Sequence, residues 1–436
     1  MPPQPLTAPA IRRRYALVNF LVWLPSALAM APMVLLMTSR GLGIGEIGFV
    51  MAVYSFVCVA LELPTGGLAD VLSRRAVLAA AAAFSAAALT WFAFAREVWQ
   101  FVAVMVLYGT ARALSSGPAQ AWYVDALHAV EGSDADLKPG LSRGGVAGSV
   151  SLCVGMLAGG FVPLAVPRND LVEPLAVPVL AAVVAAVTLL VTALVAMPEP
   201  PRPRATLGAV LRDVPLTVRS GLALGLRDRA LSRLLLVAFA FGIALNAIEL
   251  LTPGRLAALT GRAETGGTVY AVVAALGFAG NGLGSAVAPA VARLLGTSRR
   301  AAIAATVVTA AALGGLAASV ALSGRPGILA AMAGYVVLFA ALSVVSLLRS
   351  EMMHHRVGSA QRATLMSVDS LQLQFGGMVA ALGIGWLAGQ AGTAAAWTAG
   401  AVALLLTVLL YPRGLAGETV GSATGSSGAG VAPEIV

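Results

Sequence analysis

Charged residues are scarce in this sequence. They make up 11% of its 436 residues, against about 25% in soluble globular proteins, while hydrophobic residues make up 59%. The scarcity of charge leaves unbroken apolar runs such as residues 177–197, long enough for a helix to cross a hydrocarbon core of about 30 Å. Short segments that alternate apolar and polar residues, as in membrane β-barrels, are lacking. The composition therefore predicts an all-α integral membrane protein.

Cysteine and the common catalytic motifs are also lacking. The two cysteines, Cys58 and Cys153, both lie inside apolar runs, which argues against a disulfide framework. There is no P-loop, nucleophile elbow or zinc motif, so ATP-driven pumping and catalysis have no residues to carry them. His354 and His355 are adjacent, and neither a cysteine nor a second acidic cluster accompanies them. We predict no enzyme activity, no metal site and no cofactor.

Apolar runs bounded by charge or turn residues predict twelve membrane spans. Their approximate bounds are 15–38, 46–69, 76–95, 98–124, 143–166, 175–197, 231–253, 268–292, 301–322, 327–349, 364–388 and 393–412. These bounds divide the chain into an N-terminal segment 1–14, a six-helix bundle 15–197, a central loop 198–230, a second six-helix bundle 231–412 and a disordered tail 413–436. The central loop is predicted to contain an amphipathic surface helix within 207–226.

The basic residues predict the orientation of the spans. If the N-terminal segment is cytoplasmic, 21 of the 28 basic residues lie in cytoplasmic segments, as the positive-inside rule requires. We therefore expect a multi-pass protein of the cell (inner) membrane with both termini, the central loop and the tail in the cytoplasm. The net charge of +9 follows from this topology, so no nucleic-acid partner is implied.

A charged loop follows the second span and recurs once in the chain. A shift of 225 residues superimposes Ser73-Arg74-Arg75-Ala76 on Ser298-Arg299-Arg300-Ala301. Two six-helix halves with this loop after the second helix of each are typical of a transporter built from repeats, with its substrate site between the halves. We therefore predict two pseudo-symmetric bundles.

The stretch from Gly66 to Arg75, GGLADVLSRR, resembles the loop signature of the major facilitator superfamily. In that signature Gly-x-Leu-Ala-Asp is followed by a basic residue, a glycine and two basic residues; Val71 and Ser73 depart from it. Residues 116–122 and 361–364 also resemble family patterns, and with the span count the resemblance covers nearly the whole chain. It implies a bacterial, efflux-like monomer that works by alternating access.

The loop residues have predicted roles in gating. Gly66 and Gly67 allow close helix approach, and Asp70 can accept hydrogen bonds at a helix start. The resemblance implies that Asp70 latches the two halves together in one state. Arg74 and Arg75 are expected to anchor the third span at anionic lipid, and the alternative is that they are topology anchors alone.

Four ionisable residues inside predicted spans are candidates for proton coupling. Each costs roughly 2.5 to 3.5 kcal/mol to insert, so each is a functional hypothesis by default. They are Glu62, Arg112, Glu249 and Asp369. Asp369 and Glu62 are the first choices for the carboxylate that exchanges protons, with Arg112 as the fixed positive charge. The alternatives are a structural Arg112 neutralised by a carboxylate, and solvated carboxylates at Glu62 and Glu249.

The predicted substrate cavity is poor in amides and rich in apolar groups. Its candidate residues are Asn19, Trp23, Met30, Tyr54, Tyr108, Asn246, Gln372 and Phe375; Ser26 and Met33 share the stripe of the first span. This lining favours proton-coupled export of small apolar or amphipathic compounds, such as drugs, over the alternative of a nutrient or metabolite importer. A non-transporting sensor or scaffold is a remote alternative. Residues 155–163 lack the Gly-Pro step common in antiporters of the superfamily, which weighs against antiport.

Overall fold

The computed structural model describes residues 6–132, 134–167, 172–199, 228–357 and 362–412, and all regular secondary structure within these ranges is helical. The α-helices are α1 (Ala8–Ser39), α2 (Ile44–Val71), α3 (Arg74–Phe94), α4 (Val98–Ser115), α5 (Pro118–Glu131), α6 (Lys138–Ala165), α7 (Val177–Ala196), α8 (Arg229–Thr260), α9 (Ala263–Leu294), α10 (Ser298–Ala318), α11 (Gly324–His354) and α12 (Arg362–Leu406). Three short 3₁₀ segments, Pro174–Ala176, Ser319–Ala321 and Thr407–Leu410, adjoin α7, α10 and α12. The predicted surface helix within 207–226 and the tail 413–436 lie outside the described residues.

Eleven helical segments in these ranges are long and apolar enough to cross a membrane, which confirms the all-α membrane class. The outer surface of α7 is apolar: Val184, Val187, Val191 and Val195 are all exposed, at helical spacing on one side. Exposed valines in such a stripe suit contact with lipid tails, since water-facing helices carry polar residues there.

Two predicted spans differ from the helices observed. The span 98–124 is divided into α4 and α5 by a break at Ser116 and Gly117, where Gly117 has φ 97° and Pro118 starts the next helix. A positive φ ends a right-handed helix and Pro is well suited to begin one, so the break is local chemistry. The spans 364–388 and 393–412 are joined in α12, with a non-helical residue at Gly392.

The start of α3 has its own capping residue, three positions after Asp70. Ser73 is the N-cap of α3, and its Oγ accepts a hydrogen bond from the Ala76 N–H at 3.0 Å. Asp70 lies one residue before the end of α2, three residues ahead of that cap. Ser73, which departs from the glycine of the family pattern, thus serves as the cap. Thr297 caps α10 in the same way through the Arg300 N–H.

At one end of the molecule, here called the Arg40 end, two arginines bind carbonyl groups at helix C-termini. The Arg40 guanidinium donates to the carbonyls of Phe92 and Ala93 at 2.9 and 2.6 Å, at the C-terminus of α3. Arg255 of α8 donates to the carbonyl of Val320 at 2.9 Å, just after α10. Each arginine therefore neutralises unpaired carbonyls at the end of a helix in its own half of the sequence.

The opposite end, here called the Arg12 end, contains the start of α1 and a set of ion pairs. Arg12 pairs with Glu131 at 3.2 Å, and Asp228, just before α8, pairs with Arg356 at 3.2 Å. Alternation of the helices between the two ends places the start of α8 and the end of α11 together, which brings Asp228 and Arg356 into reach.

Helices from the two halves of the sequence contact each other through small residues. A Cβ placed on Gly160 of α6 would lie 2.3 Å from the Cβ of Ala271 in α9, and Thr268 Oγ1 donates to the Gly160 carbonyl at 2.6 Å. Only a glycine allows this approach, which lies near the Arg40 end. Close packing through small residues is the common way for helices to associate in membranes.

Candidate functional site

A cavity of about 180 Å³ lies where helices from both halves of the sequence meet. It is lined by α1, α2 and α4 from the N-terminal half and by α8 and α9 from the C-terminal half. The lining residues are Trp23, Ser26, Met30, Met33, Val34, Met51, Tyr54, Met105, Tyr108, Arg112, Glu249 and Tyr270. The cavity therefore combines an apolar and aromatic wall with one cation and one carboxylate.

Arg112 enters the cavity from the last turn of α4. Its guanidinium carbon lies 5.0 Å from the centre of the Trp23 ring, within the range of a cation–π contact. No hydrogen bond or ion pair of the Arg112 guanidinium is found within the described ranges, so its N–H groups are available to bind an anion.

The tyrosines beside Arg112 form a linked wall. Tyr108 Oη and Ser26 Oγ are 2.9 Å apart and form a hydrogen bond between α4 and α1. The rings of Tyr54 and Tyr108 lie 5.6 Å apart between centroids, which joins α2 to the same wall. These contacts hold one side of the cavity in a defined shape.

Glu249 reaches the cavity from α8 in the C-terminal half. Its side chain is exposed to this interior space. Within the described ranges, neither Glu249 nor Arg112 has an ion-pair partner, and the two are not paired with each other. Two opposite charges from different halves thus face one cavity without neutralising each other.

Glu62 makes a different contact, between α2 and α12. Its carboxylate accepts from Gln374 Nε2 at 2.6 Å and from Ser370 Oγ at 3.4 Å. It forms no ion pair with Arg112 in the part of the chain that is described. Glu62 therefore joins the N-terminal and C-terminal halves of the sequence.

Asp369 is bound by Arg349, a residue that was not among the candidates proposed from the sequence. The two form a bidentate ion pair between α12 and α11, with Arg349 Nη2 2.9 Å from Asp369 Oδ2. The side chain of Arg349 is 7% exposed, and it contacts the Leu234 carbonyl of α8 as well as Asp369 of α12. Arg349 is thus a buried partner, and Asp369 does not line the cavity.

Four of the predicted cavity residues do not line it: Asn19, Asn246, Gln372 and Phe375. Asn19 Nδ2 donates to the Gly144 carbonyl at 2.7 Å and joins α1 to α6. Phe375 packs against Phe239, with ring centroids 5.7 Å apart. Asn19 and Phe375 therefore serve helix contacts. Trp23, Met30, Tyr54 and Tyr108 all line the cavity.

The loop residues are described only in part. Arg74 Nη1 pairs with Asp125 of α5 at 2.7 Å, so this arginine has a protein partner rather than lipid alone. The Arg75 backbone N–H donates to Glu199 at 2.6 Å. The side chain of Asp70 and the surroundings of Gly66 and Gly67 lie outside the described part of the structure.

Sequence reasoning missed Met51, Met105 and Tyr270. Met51 precedes Tyr54 by three residues and Met105 precedes Tyr108 by three, so each shares a helix face with a predicted residue. That spacing was a usable signal. Tyr270 reaches the cavity only because α9 packs beside α8, and no local pattern marks it.

A many-helix membrane protein with an internal cavity lined by both halves of its sequence has the architecture of a secondary transporter. The chain belongs to the Major Facilitator Superfamily, whose family model matches residues 15–353. It is accordingly a transporter and not an enzyme, which confirms both predictions. No functionally curated protein matches the sequence.

Solved structures share the fold at low sequence identity. The crystal structure of the nucleoside transporter NupG is similar with a TM-score of 0.74 and 13% identity, over 92% of this chain and 98% of that one. A bacterial homologue of the human lysosomal transporter Spinster, inward-facing and unoccupied, has a TM-score of 0.68 and 12% identity, over 93% and 94%. A bacterial homologue of the human drug peptide transporters PepT1 and PepT2 has a TM-score of 0.64 and 12% identity, over 93% and 98%.

Proposed function

We propose that this protein is a proton-coupled secondary transporter that exports small apolar or amphipathic compounds across the cell (inner) membrane by alternating access. One observation carries the proposal: a cavity between the two halves of the sequence has an apolar and aromatic wall and two unpaired opposite charges, Arg112 and Glu249. A substrate site between repeats, reached alternately from either side, requires such a cavity.

The working unit is a monomer of twelve spans in two six-helix bundles, 15–197 and 231–412. The break at Gly392 supports the count, because it divides α12 into two segments that correspond to the last two predicted spans. Arg40 and Arg255 support two repeated bundles, because each donates hydrogen bonds to carbonyls at the end of the third predicted span of its own bundle.

The Arg12 end faces the cytoplasm. The distribution of 21 of the 28 basic residues supports this orientation. An impermeant thiol reagent tests it: a single cysteine at Glu131 should be labelled only after the cells are permeabilised, whereas one at Glu97 should be labelled in intact cells. The reverse pattern would overturn the orientation.

Glu249 is the carboxylate that exchanges protons with the transport cycle. Of the three candidate carboxylates, it alone lines the cavity, whereas Asp369 is paired with Arg349 and Glu62 is bonded to Gln374. A carboxylate without a cation partner can take up and release a proton as the cavity opens to either side. This assignment puts Glu249 first, whereas the sequence favoured Asp369 and Glu62 and placed Glu249 third.

The cavity lining favours export of apolar compounds over import of a sugar. No asparagine or glutamine is among the residues that line the described cavity, and amides are the groups that bind sugar hydroxyls. Import of a small nutrient or metabolite remains the alternative, and the direction of flux decides between the two.

Proteoliposomes with an imposed pH gradient test the proposal. A panel of antibiotics, dyes and metabolites would be measured with the parent, Glu249→Gln and the matched control Glu46→Gln, which changes an exposed carboxylate in the first turn of α2. We expect substrate to move against its gradient in exchange for protons, with loss of uphill transport in Glu249→Gln alone. Uphill movement together with protons would favour the importer, and indifference to the gradient would overturn proton coupling.

A further inference from the structure

The central cavity presents a charge pattern that the proposed function does not explain by itself. Arg112 comes from the last turn of α4, before the break that leads into α5, whereas Glu249 lies in the part of α8 that leads to the Arg40 end. Both line the same space, and neither has an ion-pair partner within the ranges described. Neither charge is neutralised by a protein group in those ranges, so an occupant that carries both complementary charges would stabilise the two together.

We infer that the cavity selects compact zwitterions with an aromatic or thioether body, binding the anionic group at Arg112 and the cationic group at Glu249. This inference rests on the proposed function, because it names the class of substrate for the proposed transport site. It goes further than apolar or amphipathic compounds in general, since it requires one charge of each sign on the same molecule.

The surroundings of Arg112 suit a carboxylate. The Arg112 guanidinium lies 5.0 Å from the centre of the Trp23 ring and has no ion-pair partner in the described ranges, and a guanidinium can donate two parallel hydrogen bonds to one acceptor group. A planar carboxylate matches that fork, whereas a hydroxyl or carbonyl accepts from one N–H at a time. The arrangement therefore prefers an anionic oxygen pair over a neutral acceptor.

The body of the cavity suits rings and sulfur. Four methionines, Met30, Met33, Met51 and Met105, line it together with three tyrosines, Tyr54, Tyr108 and Tyr270. Thioethers adapt to irregular shapes and make favourable contacts with aromatic rings. An aromatic or sulfur-containing side chain would therefore pack here better than a polar one.

The size of the cavity sets an upper bound on the occupant. Its volume of about 180 Å³ is roughly six times the ~30 Å³ that one molecule occupies in liquid water. Cavities for drug-sized ligands usually span about 300 to 1,000 Å³. In this conformation the site fits a molecule of amino-acid size.

Three matched probes separate the contributions of the two charges. L-Phenylalanine has both, 2-phenylethylamine lacks the carboxylate, and 3-phenylpropionate lacks the ammonium, while the ring is the same in all three. Binding to the purified full-length protein would be measured by competition against radiolabelled L-phenylalanine and, for each probe alone, by calorimetry. We expect each one-charge analogue to bind at least about tenfold more weakly than L-phenylalanine, the scale of one charge-assisted hydrogen bond.

Two variants connect each charge to its residue. Arg112→Gln should weaken L-phenylalanine and 3-phenylpropionate but leave 2-phenylethylamine unchanged, and Glu249→Gln should weaken L-phenylalanine and 2-phenylethylamine but leave 3-phenylpropionate unchanged. Arg96→Gln and Glu46→Gln, which change exposed residues outside the cavity, are the matched controls and should bind all three probes as the parent does.

The series on the parent protein decides the matter even if a variant fails to fold. The inference is overturned if 2-phenylethylamine or 3-phenylpropionate binds as tightly as L-phenylalanine, or if none of the three binds. If another compound is transported against its gradient and L-phenylalanine does not bind, this inference is wrong but the proposed function stands. If L-phenylalanine binds as expected but no compound moves in response to the gradient, the proposed transport is wrong and the inferred charge preference of the cavity stands.

Discussion

Arg349 and Asp369 form a buried ion pair that joins α11 to α12, with both guanidinium Nη atoms bonded to the carboxylate. Arg349 Nη1 also reaches the Leu234 carbonyl of α8 at 3.4 Å, so the pair connects three helices of the C-terminal half. Ser370, the residue after Asp369, donates to Glu62 of α2. The ion pair therefore lies next to a contact between α12 and the N-terminal half.

Removal of one member of this pair should destabilise the protein strongly. In Asp369→Ala the Arg349 charge stays buried without its partner, at a cost of about 3 to 5 kcal/mol. The double variant Arg349→Met/Asp369→Leu should recover much of that loss, since it removes both charges. Thermal unfolding of the purified proteins in one detergent measures the effect.

The same variants separate a structural role of Asp369 from the coupling role that sequence analysis ranked first. A structural pair predicts that Asp369→Asn lowers the Tm and that flux falls in proportion to the folded fraction. An Asp369→Asn protein with the parent's Tm that has lost only uphill transport would contradict this reading and restore Asp369 as the coupling carboxylate.

Glu62 and Gln374 should act as one unit in the transport cycle. Glu62→Ala leaves the Gln374 amide without its acceptor, and Gln374→Ala removes the donor, so each breaks the same contact between α2 and α12. We expect each single variant to change the rate of substrate exchange in proteoliposomes by a similar factor, and the double variant to be no worse than either. Independent, multiplicative effects would show that the two residues are not coupled.

Gly160→Val should keep the two halves of the sequence apart at the Arg40 end. A side chain at Gly160 would collide with Ala271, so α6 and α9 could not approach as closely as they do. Gly145→Val is the matched control, because it changes the same helix at a position where a Cβ meets no atom within 4 Å.

The measurement is disulfide formation between single cysteines introduced at Gly267 and Leu35, near this contact, in a background lacking Cys58 and Cys153. Gly160→Val should slow the crosslink and reduce transport, and Gly145→Val should do neither. Equal crosslinking rates in the parent and Gly160→Val would show that this contact does not control closure.

The Asp228–Arg356 pair should contribute stability that depends on pH only in acid. Burial raises the pKa of Asp228. Hydrogen bonds from the Ala230 N–H and Arg356 lower it by more than burial raises it, so the pKa lies below its usual value. A depressed carboxyl pKa adds stability above the unfolded pKa of about 3.9 and loses it as the pH falls through the folded value.

Asp228→Asn should therefore lower the Tm near neutral pH, and the difference from the parent should shrink below about pH 4. Thermal unfolding of both proteins across the acid range measures it. A Tm difference of the same size at neutral pH and at about pH 3 would contradict the ionic contribution, leaving only the packing of the side chain.

Local chemistry was enough to predict most of the helices. Long apolar runs, the scarcity of charge and the Pro and Gly residues between runs correspond to helices such as α7 and α10 within a few residues. The break between α4 and α5 was not predicted, although Ser115-Ser116-Gly117-Pro118 interrupts the apolar run and is a local signal for the end of one helix and the start of the next.

The candidate site was predictable where its residues repeat at helical spacing. Trp23, Met30 and Ser26 share one face of α1, and that face lines the cavity. Glu62, Asp369 and Arg112 were all recognised as costly charges in spans, but their partners were not, because Gln374, Arg349 and Trp23 come from other helices. The pairing of a charge depends on which neighbouring helix faces it.

The sequence by itself determined that this chain enters a membrane as helices, because the gain from burying apolar runs in lipid depends on composition and length alone. It also marked the charges that are expensive there. Only the tertiary structure decided their use: contact between α11 and α12 neutralises Asp369, contact between α2 and α12 engages Glu62, and the space between α4 and α8 leaves Arg112 and Glu249 facing one cavity. Helix packing brings together residues on different helices, from 20 positions apart for Arg349 and Asp369 to 312 for Glu62 and Gln374. No local pattern specifies which charge meets a partner and which is left for a ligand.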